Sequence, residues 1–152
     1  MAKYYGVQAT KRLVNLPSDK TKANEQHGDQ RISYDIYTIP GNLAVGDVIT
    51  FGKLPKGARV TDFWLKNSNL GTTGAGNFGW AASADLAEAG NASGFLAAVS
   101  VATAAATSNI STQANVVGLG KEFQGECDVQ FVVTTATTAA GTLEACVSYV
   151  VT

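Results

Sequence analysis

Few residues in this chain could do chemistry, and their spacing does not favour it. His27 is the sole histidine. It lies in Ser18 to Arg31, a stretch that is polar throughout apart from Ala23. A Ser-His-Asp or Cys-His arrangement would have to draw its base from that segment. Cys127 and Cys146 are too few for a disulfide scaffold or a structural zinc site, and zinc-like metals lack their usual imidazole and thiolate partners. Both cysteines read as small buried hydrophobes in strand-like runs, with a cross-strand disulfide as the alternative. The acids Asp85 with Glu88, or Glu122 with Glu126, would suit glycoside hydrolysis only if folding set two of them across a cleft.

Two glycine-rich strings invite a cofactor reading and fall short of it. Gly74-Ala75-Gly76-Asn77-Phe78-Gly79 matches G-x-G-x-x-G, but it leads into Trp80-Ala81-Ala82-Ser83, no strong helix, and the stretch near Leu96 to Ser100 holds no carboxylate. Gly118-Leu119-Gly120-Lys121 lacks the full phosphate-loop spacing. Loop and turn geometry accounts for these glycines, and no cofactor is expected. Asn91-Ala92-Ser93 and Asn109-Ile110-Ser111 are formal glycosylation sites that matter only in a secreted protein.

The chain that must position these residues has 152 of them, one domain's worth. Charged residues make up 15%, below the ~25% of ordinary domains. Hydrophobic residues at 45% suffice for a core, which excludes disorder throughout. No run approaches the ~18 apolar residues of a spanning helix; the longest, Phe95 to Ala106, is broken by Ser and Thr. The opening MAKYYGVQATKR lacks the apolar segment of a secretory signal, which predicts a chain that stays in the cytoplasm where it is made.

Charge divides the chain in two. Residues 1–31 carry six bases against three acids, and residues 32–152 carry five against nine. The first segment has no hydrophobic period and too little apolar surface to offset its chain entropy, so it reads as an extended N-terminal arm. Three excess charges with Tyr4 and Tyr5 as the only aromatics make a thin nucleic-acid footprint. An arm lying on an acidic protein surface explains the same residues, as does a plain solvated tail.

From Ile32 onward the chain reads as short strands between turns. Ile32, Tyr34, Ile36 and Thr38 alternate with Ser33, Asp35 and Tyr37 as a half-buried strand, closed by Pro40-Gly41. Asp47 to Phe51 is a second strand, and Leu54 to Gly57 a turn. Ala58 to Lys66 is a third, with Thr61, Phe63 and Leu65 on one face and Val60, Asp62 and Trp64 on the other. Asn67 to Asn77 is a glycine-rich loop, and Phe78 to Ala82 a short strand before a single helical turn at Ser83 to Ala89. Phe95 to Ala106 is a short helix or an irregular edge segment, its alanines and its β-branched residues pulling opposite ways. Glu126 to Thr135 and Thr142 to Val151 form a terminal hairpin. The sum is an all-β chain, an antiparallel sandwich or barrel over residues 32–152, with no internal repeat.

Gly46-Asp47-Val48-Ile49, then Lys53-Leu54-Pro55-Lys56-Gly57-Ala58-Arg59-Val60 with Asp62 and Leu65, and the closing Phe131 to Leu143, resemble capsid decoration (cement) proteins of tailed bacteriophages. The resemblance covers most of residues 40–152 and rests on strand and turn patterns rather than chemical signatures. It implies an N-terminal extension, a jelly-roll-like β-sandwich, and a trimer on the capsid exterior of the virion that bridges major capsid protein subunits. It implies no enzyme, membrane or nucleic-acid role.

Such families vary in the leader, so its contacts come from residue chemistry alone. Lys11, Arg12, Lys20, Lys22 and Arg31 are the candidate contacts to acidic capsid groups. Tyr4, Tyr5, Leu13 and Leu16 are the candidate apolar anchors. Two other readings stay open. One is a tail or head-fibre sandwich stacking carbohydrate on Trp64, Trp80 and Tyr37. The other is a small hydrolase with converging carboxylates.

Overall fold

The computed structural model describes residues 29–102, 105–109 and 116–151. They form eight strands: β1 (Gln30–Ile39), β2 (Val48–Leu54), β3 (Ala58–Asn67), β4 (Ala75–Trp80), β5 (Asn91–Ser100), β6 (Ala106–Asn109), β7 (Cys127–Thr135) and β8 (Gly141–Val151). All pairings are antiparallel. One sheet has the order β1-β8-β3-β6 and the other β2-β7-β4-β5. The fold is an antiparallel β-sandwich, as the strand spacing predicts, and no helix occurs among the described residues.

Period-two alternation builds the core. In β7, Cys127, Val129, Phe131 and Val133 are buried and the residues between them are less so. In β8, Leu143, Ala145, Val147 and Tyr149 do the same from the facing sheet. Between the sheets, Phe95 is the hub. Its ring centroid lies 5.0 Å from Phe63, 5.3 Å from Phe78 and 5.2 Å from Trp80, and Trp80 meets Phe123 edge-on at 5.0 Å. Tilted and edge-on contacts at these distances suit the ring quadrupoles. Gly76 has to be glycine because a Cβ there would run into the Phe131 ring.

Four expectations are corrected. First, Glu126 to Thr135 and Thr142 to Val151 are strands but not a hairpin. The first pairs with β2 and β4, the second with β1 and β3, so the connection crosses from one sheet to the other. Cys127 and Cys146 therefore sit in different sheets, and both are free and buried. Second, of the two readings of Phe95 to Ala106 the irregular edge segment holds in part and the helix does not, since Phe95 to Ser100 lie in β5, the edge strand of its sheet. Phe95, Leu96 and Val99 are buried on the aromatic core, and that burial overrides the helix preference of alanine. Irregularity survives as two register shifts, with Ala98 at φ 49° and its N–H donated to Asn77 Oδ1 at 2.9 Å.

Third, Ser83 to Ala89 is a closed loop without a helical turn. Glu88 N–H donates to Ser83 Oγ (2.9 Å) and Ser83 N–H to the Glu88 carbonyl (3.0 Å), a local competition with helix that serine favours. Fourth, β3 does not alternate simply. A register shift between Val60 and Asp62 puts Val60 on the buried side with Phe63 and Leu65, while Thr61 is exposed.

Candidate interaction surface

β1 is the edge of its sheet, with β8 as its one strand neighbour among the described residues. Its faces alternate as expected, but the strand is not half-buried: the apolar set faces outward, and of its ten residues Ile39 alone is buried and Ser33 partly so. Ile32, Tyr34 and Ile36 lie opposite Ser148, Cys146 and Glu144 and are 63%, 54% and 50% exposed. β8 turns its large residues inward, so the strand beside it has no core left to fill on this face. Trp64 on β3 is also opposite Cys146, and its ring lies 5.9 Å from that of Tyr34. The two rings lean over the thiol, which explains its burial. Burial in turn raises the Cys146 pKa. Glu144 ties the patch together, accepting from Tyr34 Oη at 3.1 Å and from Lys66 Nζ at 3.2 Å. The first of these bonds, made to the protonated phenol, holds the Tyr34 pKa above its ordinary value.

Of the candidate contact residues, Arg31 is the second residue of β1 and is exposed. Tyr4, Tyr5, Lys11, Arg12, Leu13, Leu16, Lys20 and Lys22 lie outside the described residues.

Three of the four candidate acids are taken up in ion pairs of their own. Glu122 accepts from Arg59 Nη2 at 3.1 Å, and Glu126 from Lys53 Nζ at 2.7 Å. Glu88 is buried against Lys121 Nζ at 3.0 Å. Asp85 is exposed on the loop, its pKa lowered by bonds from Ser83 and from the Ala87 N–H. Lys53, Asp85, Glu126 and Asp128 line a shallow depression of about 360 Å³, with Lys53 paired to Glu126 and Asp128. Among the described residues, no group of three His, Cys, Asp or Glu is placed to hold a metal.

The aromatic trio is not brought together either. Trp80 is buried in the core, while Trp64 and Tyr37 point to opposite sides of the other sheet. The G-x-G-x-x-G string breaks up as well. Gly74 has φ 146° before β4, and Gly76 and Gly79 lie in β4, where the chain passes close to Phe131 and to the Asn91 carbonyl. Gly120, at φ 71°, is a turn residue.

Further exposed apolar residues cluster at the loops. Leu86 is on the β4–β5 loop and Val117 and Leu119 on the β6–β7 connection, whereas Val45 and Val48 are at the opposite end. Hydropathy alone could not mark these, because it reports how apolar a residue is and not which way it points.

The fold is similar to chains of two phage particles. One is in the capsid asymmetric unit of cyanophage Pam1, at 25% identity and TM-score 0.64. The other is in the capsid of Ralstonia phage GP4, at 21% identity and TM-score 0.66. Each likeness covers 82% of this chain and 86% of the other. No protein-family profile and no curated protein sequence matches.

Proposed function

We propose that this chain is a phage capsid-associated structural protein and, more narrowly, a decoration protein that binds the outer surface of the head and bridges major capsid protein subunits. The observation that carries this is the likeness to chains of two phage capsids over more than four-fifths of both partners. The strand orders support it, since 1-8-3-6 facing 2-7-4-5 is two interlocked Greek keys, a jelly-roll arrangement. Cementing needs a stiff body and adhesive surfaces, with no nucleophile, metal or cofactor, and no membrane or nucleic acid among its partners.

We assign residues 1–29 as the arm that lies over the shell, ending where β1 begins at Gln30, with Lys11, Arg12, Lys20, Lys22 and, at the start of β1, Arg31 facing acidic groups, and Tyr4, Tyr5, Leu13 and Leu16 as anchors. We assign a homotrimer, whose formation would cover the outward face of β1. Trimerisation and lattice repetition multiply weak contacts into avidity. Imaging the parent particle tests the reading: density for this chain is expected on the capsid exterior, bridging neighbouring major capsid subunits. Density confined to the tail, or to the inside of the shell, would falsify it.

A further inference from the structure

Leu86 combines two features that ordinarily count against a leucine. It is 82% exposed, and its φ is +56°, in the left-handed region that glycine or asparagine occupies with less strain. The loop around it is closed by hydrogen bonds on both sides of Leu86. Ser83 and Glu88 close the loop through their two mutual bonds, and Leu86 N–H donates to the Ser83 carbonyl at 3.0 Å. Trp80 Nε1–H donates to the Ala89 carbonyl at 2.9 Å, which fastens the far side of the loop to the core. The buried Glu88 carboxylate then accepts from Lys121 Nζ at 3.0 Å and from Gln124 N–H at 3.2 Å.

The surroundings are those of an anchor. Ala82, Ala84, Ala87 and Ala89 are exposed around Leu86 and leave its side chain standing clear. The connection held by Lys121 and Gln124 carries the exposed Val117 and Leu119. This is also the end of the sandwich where residues 1–29 join β1. Gln30 lies opposite Val150, Val150 opposite Arg59, and Arg59 is bridged to Glu122 beside this loop. Strain and exposure at one position, next to the arm's point of entry, fit a side chain shaped to be buried by a partner.

We propose that Leu86 is an anchor that inserts into an apolar pocket on the major capsid protein, so that the β4–β5 end of the sandwich faces the shell. This rests on the decoration reading. The test uses parent particles prepared without this chain and compares binding of the full-length wild type, Leu86→Asn, Leu86→Gly and Val48→Asn. The two Leu86 variants should keep or raise the melting temperature, because they relieve the backbone, yet bind at least ten-fold more weakly. Val48→Asn, at the opposite end, should bind as the wild type does. Undiminished binding of folded Leu86 variants defeats the anchor and leaves decoration standing, as does a loss seen only with Val48→Asn. A marked fall in melting temperature would make Leu86 a packing residue and also defeat it. Failure of the wild type to bind takes down both readings.

Discussion

Cys127 shows how an inert position can still set a property of the whole fold. Its thiol is buried beside Leu54 and Val129, and desolvation, with Glu88 and Asp128 adding negative charge, pushes its pKa up from 9.0 to about 11. Burial likewise raises Cys146. At pH 8 neither thiol should react with a disulfide reagent until the protein is unfolded, when both should react, because the thiolate is the nucleophile. The same shift makes stability fall in alkali. Below pH 9 both states hold the Cys127 proton. Between pH 9 and about 11 the unfolded chain releases it while the folded one retains it, so stability drops across that window. Urea titrations at pH 8 and 10.5 should show this fall, with a smaller slope in Cys127→Ala. Phe95 is the opposite kind of residue, touching three rings. Phe95→Ala should cost about 3–5 kcal/mol, a large share of a small domain's stability, read as a shifted urea midpoint.

At the scale of elements, β1 carries the next expectation. Ile32 and Ile36 line an outward face on an edge strand whose only charges are Arg31 and Asp35, few of the devices that normally blunt such edges. Ile32→Lys with Ile36→Lys should leave each chain folded, since both side chains are exposed on the single chain, and a fall in melting temperature should track only the loss of the proposed subunit contact. On the proposed trimer with β1 in its contact, the solution mass should drop to that of one chain, read by light scattering; a trimer that persists removes β1 from the interface. The same strand shows how much of the fold is legible in the residues themselves. Its position and period are plain in Ile32, Tyr34 and Ile36, as is its stop at Pro40-Gly41. The Leu54 to Gly57 turn is equally plain, with Gly57 at φ 79°. Which sheet a strand joins is not, because β7 and β8 carry the same residue types and only long-range pairing separates them. The β3 bulge and the β5 strand are hidden for a related reason: core packing, absent from local propensity, decides both. Leu86 is invisible because nothing local distinguishes a leucine that is displayed from one that is buried.

For the molecule as a whole, residues 1–31 are net positive and residues 32–152 net negative, and the decoration reading turns on how the two would divide adhesion. Twenty-nine residues fully extended would reach at most roughly 100 Å. On the proposed arm, that reach would make it a second binding module, whose effective concentration would multiply the affinity of the sandwich rather than add to it. Removing residues 1–29 stops just short of β1, so the truncated protein should melt as the full chain does. Its binding to undecorated particles should fall about 10²-fold or more, by the avidity argument. Salt separates charge from mere length. If the basic residues make the proposed contacts, these screen within about 10 Å at 0.1 M, so full-length binding should weaken as salt rises, and the truncated protein should be far less sensitive. A truncation that lowers affinity but leaves the salt slope intact would mean that Tyr4, Tyr5, Leu13 and Leu16 do the holding and the lysines and arginines do not. If affinity does not change at all, the contact belongs to the sandwich alone, with Leu86 and the β4–β5 end as its centre.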